Sequence, residues 1–352
     1  MSSLSSLEPV VHPSAWRGRQ MRGSEDWMVY LSKSDNKELL DALSFAKARG
    51  ADIPSLDKDD FPLPTVAGKL LAMREDVVNG RGFALLRGLD IESLPVKETA
   101  MIYWGIGAHL GKGAAQNAQG DMLGHITDLG LDFSDLRVRG YQTRLRLDFH
   151  NDSRDMVGLL CLRSARSGGA SRIISSMAIH NAMLMRRPDL LLALYDPVSI
   201  DRRGEAPAGR KPFYTGAVFE SAGDRLFCRY QRRNFETAQR FDGARQLAKL
   251  QTEAFDMVDA LCGDPEFYLD MDFRPGDMQF LCNYTVLHSR TEYEDWPEPE
   301  RRRYLLRLWL DTGLIKDFPA SWRERFEDQA IWQRDPKPPV YDLSRRRAEL
   351  EH

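Results

Sequence analysis

The sequence has few cysteines, no long apolar run and no excess of basic residues. Its 352 residues include four scattered cysteines, which form no CxxC pair; this pattern indicates a reduced intracellular protein and excludes a zinc ribbon. The N-terminal segment lacks the basic and apolar regions of a signal peptide, and no apolar run reaches membrane-spanning length. We therefore expect a cytoplasmic protein that does not enter a membrane.

The charge balance argues against nucleic acid as a partner. The formal net charge is −3 at pH 7, whereas a protein that holds a polyphosphate chain needs a strong basic excess. Hydrophobic residues make up 42% of the chain and charged residues 29%, which is ordinary usage for a globular protein. Nucleic acid is therefore a poor first expectation for a partner.

Apolar periodicity predicts helices near the N-terminus and mainly strands after it. Helical spacing is found over residues 37–50, 66–80 and 95–111. From residue 141 onward, short strand-like runs alternate with turn signals, and helices interrupt them near 178–195 and 246–262. The pattern predicts an α+β protein with a mainly β core, a sandwich or open barrel of the jelly-roll kind.

No internal repeat or flexible linker divides the chain, so we expect one domain over residues 1–335. Within it, a helical flank is expected over about 30–80 and the β core over about 80–312. Residues 336–352 are rich in proline and charge, and we expect a partly disordered tail there.

Two strand-like runs end in residues that commonly bind metals. His150 and Asp152 lie in RLRLDFHND, and residues i and i+2 of a strand project from the same face, so both can reach one ion. His288 ends another run much later in the chain and can supply a third ligand. Two histidines and one carboxylate leave open positions on an octahedral ion, as a non-haem Fe(II) oxygenase requires. The H-x-D motif is a weak signal on its own.

The segment RRRYLLRLWLDTG has the alternation of a buried strand. One face would carry Arg303, Leu305, Arg307 and Trp309. The other face would carry Tyr304, Leu306, Leu308 and Leu310. A buried guanidinium needs a carboxylate partner, which it binds through two parallel hydrogen bonds. A dicarboxylic cosubstrate is one candidate for that partner. The alternative is that both arginines face solvent and pair with Glu298, Glu300 or Asp311.

Three segments, taken in order, resemble the Fe(II)/2-oxoglutarate-dependent dioxygenases of the taurine dioxygenase and 2,4-dichlorophenoxyacetate dioxygenase family: HNDSRD, SARSGGASRIISS and FRPGDMQFLCNYTVLHSRTEYEDWPEPERRRYLLRLWLDTG. The ordered combination is specific, although each piece is weak alone. The resemblance implies a double-stranded β-helix, which is a distorted jelly roll with helical insertions. It also implies Fe(II), 2-oxoglutarate and O2, with decarboxylation to succinate and CO2 coupled to C–H oxidation, most often hydroxylation.

The resemblance further implies roles for single residues. The iron ligands would be His150, Asp152 and His288. Arg303 would hold the far carboxylate of 2-oxoglutarate, and Ser171, in GGAS where the family often has GGDT, would hydrogen-bond the same carboxylate. Arg307 would lie near the iron-bound carboxylate end of the cosubstrate or near an anionic group of the substrate, so we expect a small acidic substrate.

A long polar connection over residues 112–130 precedes the predicted strands. The family's equivalent region contributes to the active-site lid, which makes Gln116 and Asn117 candidates for polar contacts with substrate or cosubstrate. Ordinary turn formation is the alternative for both. Relatives in the family are often dimers or tetramers, so the resemblance also implies a homo-oligomer.

Two functions of other classes remain open at this point. One is a small-molecule-binding jelly roll without catalytic activity. The other is a zinc-dependent hydrolase that uses the same three ligands, which would need a positioned general base and would work without O2.

Overall fold

The computed structural model describes residues 7–135 and 138–344. The helices are α1 (Gly18–Arg22), α2 (Lys33–Ala48), α3 (Val66–Asn79), α4 (Val96–Leu110), α5 (Ser176–Arg186), α6 (Pro188–Ala193), α7 (Arg232–Ala238), α8 (Lys249–Cys262) and α9 (Ala320–Trp332). The strands are β1 (Met28–Tyr30), β2 (Phe83–Arg87), β3 (Lys112–Gly113), β4 (Leu123–Ile126), β5 (Leu147–His150), β6 (Met156–Arg163), β7 (Ser167–Gly168), β8 (Ser171–Ser175), β9 (Val198–Asp201), β10 (Phe213–Gly216), β11 (Phe219–Ala222), β12 (Arg225–Cys228), β13 (Tyr268–Met271), β14 (Met278–Cys282), β15 (Val286–Arg290), β16 (Tyr293–Glu294) and β17 (Tyr304–Asp311).

Two β-sheets form the centre of the molecule. The major sheet has the order β1-β2-β14-β6-β17-β3, and β4 also pairs with β17. The minor sheet has the order β13-β8-β15-β5, and its strands are antiparallel. Buried apolar side chains from both sheets form one cluster between them, which includes Phe83, Leu85, Val157, Ile173, Leu269, Met271, Leu281, Val286 and Trp309.

Helices cover the outer face of each sheet. The outward side chains of β6, β14 and β17 pack with those of α2, α3 and α4 in the largest core cluster. On the other side, Ile174 of β8 and Leu287 of β15 pack with residues of α5, α6 and α8. Each sheet therefore has two buried faces.

The predicted class, mixed α+β with a mainly β core, is confirmed. The helix bounds differ in places for local reasons. Helix α2 begins at Lys33, before the predicted start, because the Ser32 side chain accepts the N–H of Asp35 while Asp35 accepts the N–H of Ser32. The single helix predicted near 178–195 is two helices, since Pro188 opens a new one directly after α5.

The C-terminal part of the described chain returns to the core. The backbone N–H of Lys337 donates to the carbonyl of Gly120 at 3.0 Å, and Tyr341 and Leu343 pack against the core cluster of the major sheet. Residues 345–352 of the predicted tail lie outside the described residues. Within the described ranges, no helix is both long and apolar enough to cross a membrane.

The apolar layer between the sheets predicts a large cost for removing one of its side chains. Leu281 is fully buried there, so Leu281→Ala loses buried area and leaves a cavity, and we expect the free energy of unfolding to fall by roughly 2–5 kcal/mol in urea denaturation. The matched control is Leu71→Ala on the solvent side of α3, where Leu71 is 44% exposed and the expected change is within about 0.5 kcal/mol. Equal effects of the two variants would contradict this packing.

Candidate metal centre and active site

A turn held by side-chain hydrogen bonds follows β5. The strand ends at His150, and Asp152 lies beyond it rather than on the same strand face as the sequence pattern predicts. The turn is held by Asn151, whose amide Nδ2 donates to the carbonyls of Cys228 at 2.5 Å and Asn283 at 2.6 Å. The Asn283 side chain in turn accepts the N–H of Asp152 at 3.1 Å. These bonds aim the Asp152 carboxylate back towards His150.

His288 reaches the same place from the neighbouring strand. It lies on β15 directly across from His150, and the two rings are 4.4 Å apart. One ligand atom from each of His150, Asp152 and His288 can be chosen so that all lie within 4.8 Å of one another. This spacing suits three ligands of one metal ion on one side of its coordination sphere.

Protonation of the two histidines fits metal binding. Nδ1 of His150 lies 2.8 Å from the carbonyl of Asp148. Because a carbonyl only accepts, Nδ1 carries a proton, and in the neutral ring Nε2 is then the nitrogen with the lone pair for a metal. Burial and the neighbouring His150 lower the pKa of His288 to about 3, although Asp152 acts in the opposite direction. His288 is therefore neutral at pH 7 and also able to ligate.

The third candidate ligand, Asp152, is buried beside the guanidinium of Arg307 and the indole N–H of Trp309. Trp309 donates its Nε1–H to Oδ2 of Asp152 at 2.8 Å, and Nη1 of Arg307 lies 3.4 Å from the same oxygen. Burial opposes ionisation of Asp152, but Arg307 and the two histidines outweigh it, and the pKa lies below the usual value. The carboxylate is therefore charged, as a ligand must be.

Gln116 holds Arg307 in position. Nε of Arg307 donates to Oε1 of Gln116 at 2.8 Å, and the Gln116 amide donates to the carbonyls of Arg307 at 2.8 Å and Met122 at 3.1 Å. Gly124 faces this contact, and a Cβ at that position would lie 2.5 Å from Oε1 of Gln116. Gln116 lines the cavity, and its amide acts there through Arg307.

Asn117 lies in a turn and is absent from the cavity lining. Its side-chain amide donates to the carboxylate of Asp121 at 2.7 Å, and its oxygen accepts the N–H groups of Gln119 and Asp121. These hydrogen bonds form a turn, which is one of the two roles expected of Asn117.

Two buried arginines lie side by side further along the cavity. Arg303 precedes β17 and Arg290 ends β15, and their guanidinium carbons lie 5.1 and 4.8 Å from the centre of the Tyr293 ring. Within the described residues, neither has a carboxylate within ion-pair distance, and Nη1 of both and Nε of Arg290 are buried without a hydrogen-bond partner. Burial lowers the pKa of both groups, that of Arg290 to about 10. Two buried positive charges without a carboxylate partner are stabilised when an anion binds between them.

The alternation predicted for the last strand is present in the structure. Leu305 and Trp309 point towards the interior clusters, while Tyr304, Leu306, Leu308 and Leu310 join the core of the major sheet. Arg303 and Arg307 are both buried, which removes the solvent-facing alternative. Ser171 of β8 lies across from Arg290 in the sheet register, and its hydroxyl lies 3.2 Å from the amide nitrogen of Gln279.

These groups share one cavity of about 280 Å³ between the two sheets. The metal-ligand candidates His150, Asp152 and His288 line it together with Arg290, Arg303 and Ser171. A neutral-nitrogen and carboxylate donor set beside an uncompensated cationic pocket fits Fe(II) with a dicarboxylic cosubstrate. Arg290, Trp309 and Asn151 are the parts of the site that the sequence analysis did not assign.

Comparison with known proteins decides the family. The model of the family "Taurine catabolism dioxygenase TauD, TfdA family" matches residues 46–309. The chain belongs to the TauD/TfdA family. It is 34% identical over 318 residues to FR-33289 synthase of Streptomyces rubellomurinus, covering 89% of this chain and 94% of that protein. It is 30% identical over 346 residues to the taurine hydroxylase-like protein SAT17 of Stachybotrys chartarum, covering 93% of this chain and 88% of that protein.

Solved structures share the fold. Asparagine oxygenase, solved in complex with Fe(II), (2S,3S)-3-hydroxyasparagine and succinate, matches with a TM-score of 0.63 and 18% identity, over 81% of this chain and 94% of that one. The protein is therefore an Fe(II)/2-oxoglutarate-dependent dioxygenase with Fe(II) and 2-oxoglutarate as cofactor and cosubstrate. This class replaces both alternatives left open by the sequence, the binding module and the zinc hydrolase.

The contact between Trp309 and Asp152 predicts an effect on metal affinity. In this dioxygenase, Trp309→Phe keeps the ring but removes the N–H that holds the carboxylate, so we expect Fe(II) affinity to fall about 10- to 100-fold in anaerobic calorimetry. Trp16→Phe is the matched control, because Trp16 is equally buried and donates to the carbonyl of Arg81 away from the metal centre. A wild-type affinity in Trp309→Phe would show that this hydrogen bond does not orient the ligand.

Proposed function

We propose that this dioxygenase holds Fe(II) with His150, Asp152 and His288 and oxidises a C–H bond of a small anionic molecule. The observation that carries the proposal is the pair of buried, uncompensated guanidiniums beside the three ligand groups. The pair supplies the counter-charge for the far carboxylate of 2-oxoglutarate, and the three ligands supply one face of the iron.

The cosubstrate is expected to lie along β15. His288 and Arg290 are two residues apart on this strand and both line the cavity, so they project from one face about 7 Å apart along it. A five-carbon dicarboxylate can bridge such a span, with its keto end towards the metal centre and its far carboxylate between Arg290 and Arg303. Ser171, across from Arg290, can donate its hydroxyl to the same carboxylate.

Each remaining residue of the site has a positioning task. Arg307 and Trp309 hold Asp152, Gln116 holds Arg307, and the apolar layer between the sheets excludes water. When bound, iron with 2-oxoglutarate and O2 supplies the oxidising power, and the cosubstrate is converted to succinate and CO2. The hydroxylated amino acid and succinate in the asparagine oxygenase complex support hydroxylation as the outcome.

The fold supports the same function. We infer that the two sheets form the double-stranded β-helix expected from the resemblance, because the core strands alternate between them in two runs. In the first run β5 is in the minor sheet, β6 in the major and β8 in the minor; in the second run β13 is in the minor sheet, β14 in the major, β15 in the minor and β17 in the major. Alternation of this kind brings the ends of sequence-distant strands together around one cavity.

The ligand assignment predicts loss of turnover without loss of fold. His150→Ala and His288→Ala each remove one of three ligands, so we expect substrate-dependent succinate formation to disappear while circular dichroism stays native. The control is His12→Ala, which removes an exposed histidine whose ring contacts the hydroxyl of nearby Ser14. Turnover like that of the wild type in either ligand variant would refute the assignment.

The cosubstrate assignment predicts a change in KM. Arg303→Gln removes a charged donor to the far carboxylate, so we expect the KM for 2-oxoglutarate to rise about 10- to 100-fold, with a smaller change in kcat at saturation. Arg302→Gln, one residue earlier and exposed, is the matched control and should leave the KM unchanged. An unaltered KM in Arg303→Gln would mean that another residue binds the carboxylate.

A further inference from the structure

A second group of arginines lines the active-site cavity, apart from the metal centre and the cosubstrate pair. Arg139, Arg203 and Arg233 come from three different segments: Arg139 lies between β4 and β5, Arg203 follows β9, and Arg233 lies in the first turn of α7. We call these three residues the arginine wall. The roles proposed above for iron and 2-oxoglutarate use none of them.

Hydrogen bonds and a ring contact hold Arg139 and Arg233 in place. Nη2 of Arg139 donates to the carbonyl of Arg203 at 3.1 Å and lies 2.8 Å from the carboxylate of Glu205. Arg233 stacks on the ring of Phe133 at 3.9 Å and donates to the carbonyl of that residue. Nη1 of Arg233 is buried and has no hydrogen-bond partner among the described residues. This donor is available to a ligand in the cavity.

The backbone at Arg203 is in an unusual conformation for an arginine. Its φ is +54°, in the left-handed region, which costs a residue with a side chain about 1–3 kcal/mol. Surrounding contacts impose it: the N–H of Arg203 donates to Asp201 at 2.7 Å, and Asp201 is itself held by Thr237 and Arg240. A glycine would adopt this φ without strain. An arginine at this position therefore indicates that its side chain has a function that offsets the strain.

The arginine wall is rich in positive charge. Two carboxylates of the lining act on its three guanidiniums: Glu205 pairs with Arg139, and Asp201 lies near Arg203 but is also paired with Arg240. Formally, these four arginines and two carboxylates keep two positive charges. Burial and the guanidiniums of Arg139 and Arg233 lower the pKa of Arg203 to about 10, which still leaves it charged at neutral pH. Mutual repulsion of this kind is relieved when an anion binds.

We propose that the arginine wall binds a dianionic phosphoryl group of the substrate, carried as a phosphate ester or a phosphonate, while the carbon to be oxidised faces the metal centre. Guanidinium groups match phosphoryl oxygens in two-point geometry. Two excess positive charges balance a dianion, whereas a carboxylate or a sulfonate would balance only one. The inference rests on the proposed function, because the arginine wall borders the cavity of that site.

The test is calorimetric titration of the protein loaded anaerobically with Fe(II) and 2-oxoglutarate, so that the metal and the cosubstrate pocket are already occupied. Three probes of similar shape are compared: phenyl phosphate, phenylphosphonate and benzenesulfonate. At pH 8 the wild type should bind at least one of the first two about tenfold more tightly than the sulfonate. The tighter of the two identifies ester or phosphonate as the source of the group.

Two variants, one that removes a positive charge and one that removes a negative charge, separate recognition of the ligand's charge from a structural role. Arg233→Gln removes a donor and a positive charge, so affinity for the phosphoryl probe should fall about tenfold. Glu205→Gln removes the opposing negative charge, so affinity should rise. Arg210→Gln is the control; Arg210 pairs with Glu327 outside the cavity lining, and its loss should leave affinity unchanged. If Arg233→Gln fails to fold, Glu205→Gln still decides the matter.

Equal affinity for all three probes, or a change of the same sign in Arg233→Gln and Glu205→Gln, would overturn the proposal. So would failure of the phosphoryl probes to bind wild-type protein that shows the visible charge-transfer band of Fe(II) with 2-oxoglutarate; in that case the iron site stands and the arginine wall has no such ligand. Absence of that band in the wild type would instead contradict the proposed iron site itself.

Discussion

The buried carboxylate of Asp152 is the group on which the active site depends. It lies on a turn outside any strand, so its position comes from hydrogen bonds: the Asn283 side chain holds its backbone N–H, and Trp309 holds its oxygen. Arg307 offsets the cost of burying its charge, and Gln116 holds Arg307 in turn. The contact between the turn after β5, which carries Asp152, and strand β17 therefore sets the geometry of the candidate metal centre. The apolar layer between the sheets excludes water from it.

The register of the minor sheet organises the rest. Antiparallel pairing places His288 across from His150 on one side, and Arg290 across from Ser171 on the other. A proposed metal ligand and a proposed anion-binding residue thus lie two positions apart on one strand. The direction of β15 consequently sets the direction in which a dicarboxylate can lie, with Arg303 approaching from the start of β17. The remaining cavity, towards the arginine wall, is left for the substrate.

Local patterns in the sequence were sufficient for part of this architecture. The alternation around Arg303 and Arg307 predicts the strand β17 and both of its faces, because a period of two is a property of neighbouring residues alone. The helix pattern over 66–80 likewise corresponds to α3 (Val66–Asn79). By contrast, the turn at Asn151, the hydrogen bond from Trp309 and the meeting of Arg139 with Arg203 join segments far apart in the chain. Only the sheet register and loop packing bring these groups together, so their spacing in the sequence does not predict the contacts. Arg290 differs, because its position two residues after His288 on a predicted strand already indicates that it lies on the same face as His288.

The most direct test of the central claim is an anaerobic titration of metal-free protein with Fe(II) and 2-oxoglutarate, followed by visible absorption. Chelation of the iron by the keto acid produces a metal-to-ligand charge-transfer band. We expect the band in the wild type and its absence in folded His150→Ala, because two remaining ligands do not hold the iron for the cosubstrate. A wild-type protein that is folded, binds Fe(II) and shows no band with 2-oxoglutarate would contradict the account.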